Sequence, residues 1–284
     1  MRFEHSNPKR AGFVGSIVVS GCMSGVLLAT FVGHIVKIPS LPEYSWRIAF
    51  LFGFILSLIG FFIRQNLKET TTFTSYKIKE VAQNRLSFLS AMKKYWLECV
   101  ATFFIASTSG VNIYFLSVYL PGYIKDILSI EIGYLNSIAI LIIAILIPIF
   151  GLASDKFGRL KVLISGNLLL MLYPVVLFSL GYFRPNFSTL AVIMVTYAVI
   201  FSIYCGAMNT FLTEIFPAHN RYTCSAFSYS MGMALIGGTT PMVASLIKEY
   251  SNNYGLYINC YTFCVLLCSI LSITALKIKI NKTK

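Results

Sequence analysis

Two kinds of residue cluster in this 284-residue chain have the types and spacing to do chemistry. The first is Gly151-Leu152-Ala153-Ser154-Asp155-Lys156-Phe157-Gly158-Arg159-Leu160-Lys161, a knot of charge and glycine between two long apolar runs. Asp155 can accept hydrogen bonds from the free amides of a helix N-terminus, or pair with Arg159 or Arg221. Gly151 and Gly158 allow close helix approach and a tight turn. Such a charge cluster can hold one face of a helical bundle shut and release it. The bland alternative is a basic turn that only anchors topology.

The second kind is polar and aromatic. Ser107, Thr108, Ser109, Asn112 and Tyr114 share one apolar run, with Tyr119 and Pro121 towards its end. A polar patch in a lipid-immersed helix is costly unless it faces a cavity or other helices. It can line a solute path or simply hydrogen-bond neighbouring helices. Tyr197, Tyr204, Asn209 and Thr210 form another polar-aromatic face, with Gly232, Gly237, Gly238 and Pro241 expected opposite. Aromatic rings of this kind can cage a quaternary ammonium by cation–π attraction. Thr108, Asn112, Tyr114, Tyr119, Tyr197, Tyr204 and Asn209 are therefore the candidate solute-path residues.

Enzyme chemistry finds no support. HExxH, GxSxG, P-loop and CxxC patterns are missing, and no paired carboxylates share a helix face. The seven cysteines form no CxxC pair, which argues against a disulfide framework. Cys260, Cys264 and Cys268 line one helix face, where soft ligands can take copper or zinc, but free cysteine in a membrane helix more often packs as a small hydrophobe. No metal or cofactor is expected.

The elements that position these groups are membrane helices. The chain is 57% hydrophobic and 12% charged, with a mean hydropathy of +0.75. A soluble domain carries about 25% charged residues. A helix needs about 20 apolar residues to cross a ~30 Å hydrocarbon core. Eight runs qualify: 13–36, 46–63, 99–120, 132–153, 162–182, 187–212, 224–247 and 256–276. The fold class is thus an all-α polytopic membrane protein. Residues 1–63 hold two spans, 64–98 a polar central loop and 99–284 a six-helix bundle. Within the loop, RLSFLSAMKKYW suggests a short surface helix with Leu86, Leu89 and Trp96 on its apolar side.

The formal charge is +13. Basic residues crowd the start, the central loop, the turn at 156–161, Arg221 and the tail, whereas the other side has only Lys37, Arg47, Lys125, Arg184 and Lys248. By the positive-inside rule the first set is cytoplasmic, and both termini with it. This distribution explains the charge without nucleic acid. Of the ten acids, none lies at the centre of an expected span, so no proton relay is visible. His34 falls near the outer end of the first span and reads as interfacial. No cleavable signal peptide is visible at the start.

Four separated stretches resemble the major facilitator superfamily, and within it the metabolite:proton symporter family that includes bacterial proline/betaine transporters. They are Gly151-xxx-Asp155-Lys156-x-Gly158-Arg159, WRIAFLFGFILSLIGFFIRQNLKET (46–70), YFLSVYLPGYI (114–124) and Glu214-Ile215-Phe216-Pro217-xxx-Arg221. The resemblance implies a major-facilitator-type bundle whose eight spans match the fifth to twelfth of twelve. It implies a cytoplasmic gate of Gly151, Asp155, Lys156, Gly158, Arg159, Glu214 and Arg221. It further implies transport of a small zwitterionic solute across a bacterial inner membrane with proton symport, the coupling acids lying mainly in the first four helices. Lys156 and Leu160 stand where arginine or lysine is common in the family, and Lys161 can supply the displaced charge.

The first four helices and the first copy of the basic loop lie outside the match. The partners expected are the solute, protons, the bilayer and a separate chain supplying those helices; the alternative is a fragment inactive alone. On this reading the gate lacks a first half to close against.

Overall fold

A computed structural model describes residues 10–36, 38, 40–42, 44–65, 88–122, 125, 133–180, 187–251 and 254–283; within these, the side chains of 174–180, 218–219, 254–255 and 280–283 are left out of the description. Among the described residues the regular structure is helical. In chain order the helices are α1 (Ala11–Val36), α2 (Ser45–Gln65), α3 (Phe88–Lys94), α4 (Trp96–Gly122), α5 (Gly133–Phe157), α6 (Arg159–Leu180), α7 (Phe187–Glu214), α8 (Ala218–Gly232), α9 (Thr240–Tyr250) and α10 (Tyr254–Thr283). Among the described residues, seven spans are long and apolar enough to cross a membrane: α1, α2, α4, α5, α7, Asn220–Tyr250 across α8 and α9, and Leu256–Lys279 within α10. The remaining expected span, 162–182, falls on the 22-residue α6. The chain is a multi-pass membrane protein.

Packing explains why some of these helices are polar and others uniformly apolar. Helix α4 is buried almost throughout, from Glu98 to Asn112, and α7 from Leu190 to Leu212. They carry the Ser, Thr, Asn and Tyr groups, because only buried helices can pair such groups with each other. Helix α2 has Phe50, Leu51, Phe54, Ile59 and Phe62 all exposed, and within it only Ser45 is buried. Its all-round apolar surface suits lipid or helix contact rather than water. Helix α1 lies against α5 and α7, α6 against α7, and both α8 and α10 against α4.

Two breaks in the helices have local causes. Helix α4 widens into a π-helical turn at Phe115–Tyr119, where the Leu120 amide donates to the Phe115 carbonyl. A second π-helical turn, Met233–Gly237, separates α8 from α9, with the Gly238 amide on the Met233 carbonyl at 2.7 Å. Pro241 follows in the first turn of α9 and brings no N–H. Beside it, the Ile236 carbonyl takes two hydroxyl donors, Thr240 (2.8 Å) and Tyr261 of α10 (3.1 Å). Irregular backbone persists in a membrane helix only when neighbours re-satisfy it in this way.

The short helix expected in the central loop is α3. It buries Ala91 in a cluster with Cys224 of α8 and leaves Leu89 exposed, whereas Trp96, also exposed, is the first residue of α4; Leu86 lies outside the described residues. Trp46 and Tyr250 are exposed at helix ends, as interfacial rings are. Tyr123 lies outside the described residues.

Candidate functional site

The site is built at the basic end of the bundle, where α1 begins, α5 ends, α6 begins and α7 ends. A helix start leaves its first amides without intrahelical acceptors. Helix α1 begins at Ala11, and the Asp155 carboxylate fills that need from α5. Oδ1 accepts from the Gly12 amide at 2.7 Å and Oδ2 from the Phe13 amide at 3.0 Å. The negative charge also opposes the positive end of the α1 dipole, an effect of about 0.3–1 kcal/mol and up to ~2 kcal/mol when partly buried.

Glycines bring the two helices close enough for this. A Cβ on Gly12 would sit 2.6 Å from both Asp155 Oδ1 and Ser154 Oγ, and 2.7 Å from the Gly151 carbonyl oxygen. A Cβ on Gly151 would run into the Ser16 side chain and, at 2.9 Å, the Gly12 carbonyl. From α7, a Cβ on Gly206 would be 2.9 Å from the Gly151 nitrogen. Three helices therefore meet backbone to backbone, and Thr210 Oγ1 of α7 donates to the Ala11 carbonyl at 3.3 Å.

Charge extends the lock sideways. Arg159, one turn beyond Asp155, lies 3.4 Å from Oδ1 and also pairs through its other terminal nitrogen with Glu214 at the end of α7. Gly158 makes that geometry possible: it joins α5 to α6 with φ +96°, a region open mainly to glycine. Arg221 does not reach Asp155; its Nε donates to the Phe216 carbonyl at 3.4 Å. Lys156 is exposed, with its ammonium 5.7 Å from the Phe157 ring centre. Of the three pairings open for Asp155, the structure thus has the helix amides and Arg159. The element that meets this turn is the start of α1.

The α1–α5 contact continues along the membrane. Pro148 inside α5 has no N–H for the Ala144 carbonyl, and Ser20 Oγ of α1 donates to that carbonyl at 2.5 Å. At the far end the His34 ring stacks on Tyr134, with centroids 5.4 Å apart.

The candidate solute-path residues divide. Asn112 Nδ2 donates to the Thr108 carbonyl (2.7 Å) and Tyr197 OH donates to Asn112 Oδ1 (2.5 Å). Tyr204 OH donates to the Ile105 carbonyl (2.7 Å). These four residues form a buried seam between α4 and α7, with Tyr197, Phe201 and Tyr204 stacked along α7. Thr108 Oγ1 is buried with no hydrogen-bond partner. Tyr119 stacks on Phe115, which tilts against Tyr197. Tyr114 and Asn209 are half-buried and stand outside the hydrogen bonds of the seam.

The glycines expected opposite Tyr197 and Tyr204 face elsewhere. A Cβ on Gly110 of α4 would lie 2.7 Å from Gly237 Cα, and one on Gly232 would collide with the Phe103 carbonyl. They seat the α8 span on α4, not on α7. Helix α10 closes on α4 through Lys279 Nζ, which binds both Glu98 oxygens at 2.8 and 3.0 Å. Cys260 and Cys264 are exposed on α10 and Cys268 is half-buried. Among the described residues no three His, Cys, Asp or Glu side chains gather as metal ligands.

Gly12, Ser16, Ser20 and Gly206 were not anticipated. Only Pro148, a proline inside a long apolar run, offered a signal, since it leaves one carbonyl needing a donor.

Comparison with known proteins identifies the family. The sequence model described as Major Facilitator Superfamily matches residues 3–241 and 102–281. The "Proline/betaine transporter" of Salmonella typhimurium (strain LT2) is 30% identical over 272 residues, covering 88% of this chain and 53% of its own length. That of Escherichia coli (strain K12) is 29% identical with the same coverage. The "Putative proline/betaine transporter" of Staphylococcus aureus (strain MSSA476) is 26% identical over 249 residues, 85% of this chain and 53% of the relative. The chain spans about half the length of these curated relatives. With a family match running over nearly its whole length and a glycine-flanked acid capping a neighbouring helix, the chain belongs to the major facilitator superfamily.

Proposed function

We propose that the chain forms the second half, with the last two helices of the first, of a secondary transporter for a small zwitterionic solute of the proline or betaine kind. The observation that carries this reading is the Asp155 lock on the start of α1. A family whose halves rock about a central site needs a joint that holds at one face and can part. Backbone amides, a carboxylate and the Arg159–Glu214 pair supply one. The relatives' names supply the solute class.

The basic end is cytoplasmic on this reading, in a bacterial inner membrane, with both termini on that side. In the α4–α7 seam Tyr197 donates to Asn112 and Tyr204 to the Ile105 carbonyl, so these polar groups are spent on holding two helices together, beside Thr108. Tyr114 and Asn209, half-buried and outside the hydrogen bonds of the seam, remain for the solute. Proton coupling requires acids beyond the described spans, whose carboxylates at Glu98, Asp155, Glu214 and Glu249 all sit near helix ends.

A second reading is favoured by length: the chain covers 53% of its relatives, so it acts only with a partner supplying four more helices. Uptake of labelled proline and betaine by cells expressing the chain alone, and together with such a partner, decides between them. Uptake only with the partner supports the second reading, uptake alone the first. Uptake under neither condition, with the protein folded in the membrane, contradicts the transport assignment.

A further inference from the structure

Away from the lock, the basic end holds a pair of thiols. Cys99 lies in the first turn of α4 and Cys224 midway along α8. Both are buried, at 6% and 0% exposure, and both belong to one small cluster with Ala91 and Phe216, edged by Met92, Tyr95 and Ile215. The register of the two helices places them side by side. Helices α4 and α8 both run away from the basic end. Ser107 Oγ meets the Gly232 carbonyl at 3.3 Å, a separation of 125 residues. The same offset pairs Cys99 with Cys224, two turns nearer the basic end. Gly232 has no side chain to hold the helices apart, and its backbone packs on Phe103 and Ala106. Both side chains are thus buried in the same small cluster between the two helices.

We infer that Cys99 and Cys224 are an oxidisable dithiol, a modification site that ties α4 to α8 by a disulfide. A disulfide forms where Cα atoms come within about 4.4–6.8 Å, as closely packed helices allow. Burial excludes bulky disulfide oxidants and leaves a hydroperoxide as the reagent of suitable size. One thiol sulfur attacks the peroxide oxygen, the O–O bond breaks, and a sulfenic acid and water result. The second thiol sulfur then displaces the sulfenic hydroxyl as water, forming the S–S bond. Two thiols are oxidised and one hydrogen peroxide is reduced to two waters. The consequence is local. Phe216 shares the cluster and stands two residues beyond Glu214, the partner of Arg159. The bond therefore fixes the packing beneath the segment that carries one arm of the lock.

The test uses the full chain in membranes treated with hydrogen peroxide. Free thiols are then blocked under denaturing conditions, and peptides are analysed before and after reduction by dithiothreitol. The expected result is a linked peptide pair joining Cys99 and Cys224, released by the reductant and lost in both Cys99→Ser and Cys224→Ser. The wild-type chain should also show a thermal midpoint that rises on oxidation and returns on reduction. The inference is overturned if both thiols take up the blocking reagent in full after peroxide. It is equally overturned if they end as separate sulfinic acids, or if the links join Cys260, Cys264 or Cys268 instead.

Discussion

Asp155 and Gly12, on different helices and 143 residues apart, are joined by a 2.7 Å hydrogen bond from the Gly12 amide to the Asp155 carboxylate. The second carboxylate oxygen takes the next amide, Phe13. A single side chain thus serves as the cap of a helix it does not belong to.

Replacing Asp155 by Asn leaves one acceptor oxygen and no charge at the start of α1. Lost caps and dipole partners cost about 1 kcal/mol each. Asp155→Asn should raise the reactivity of a cysteine introduced at exposed Lys156 towards a membrane-impermeant maleimide. Unchanged labelling would mean that the turn anchors topology without locking anything.

The glycine contact should be unforgiving. Gly151→Ala places a methyl group against Ser16 and the Gly12 backbone, and overpacking of this kind costs about 1–3 kcal/mol. Gly25→Ala and Gly53→Ala meet nothing within 4 Å and serve as controls. Thermal unfolding in detergent should show a lower midpoint for Gly151→Ala alone; equal midpoints would contradict the close approach.

Ser20 and Pro148 offer a compensation test. Ser20→Ala removes the donor to the Ala144 carbonyl, and an unsatisfied buried acceptor costs about 1–3 kcal/mol. Adding Pro148→Ala restores an N–H to α5 for that same carbonyl. The double variant should be more stable than Ser20→Ala alone in the same unfolding assay. A double variant no better than the single one would show that the carbonyl never depended on Ser20.

Glu98 and Lys279 bind two helix ends together, α4 at its start and α10 near its end. Glu98 is mostly buried and Lys279 partly exposed, so a double-mutant cycle with Glu98→Gln and Lys279→Met should yield a coupling of about 1 kcal/mol. A coupling indistinguishable from zero would assign the contact to packing alone.

Much of the architecture was legible in the residues. Apolar runs of membrane length stood out, and so did the charged turn, because Asp155, Arg159 and Gly158 are rare inside such a hydrophobic chain. The rest was hidden for a physical reason. Gly12, Ser16 and Gly206 are small residues among many small and apolar ones, and a small residue announces no direction. Nothing in one sequence says whether Gly232 and Gly237 turn towards α7 or α4; the structure turns them to α4. The Arg159–Glu214 pair is similarly silent, since the two ends of the hairpin from Arg159 to Glu214 meet only after α6 and α7 have packed. Tyr197 and Tyr204 read as a ligand face or as interhelical glue with the same residues. Their hydroxyls settle on Asn112 and on the Ile105 carbonyl.

The most direct test of the lock is hydrogen exchange at the Gly12 and Phe13 amides. Both lie in the first turn of α1, where no intrahelical acceptor exists, so their protection depends on Asp155. Exchange of the peptide from Arg10 to Val19 should be compared, with residue-level fragmentation, between the wild-type chain and Asp155→Ala in the same membranes. The account predicts that these two amides exchange slowly in the wild type and rapidly in the variant, while α4 and α7 keep their protection. Equal exchange at Gly12 and Phe13 in the two proteins would contradict it.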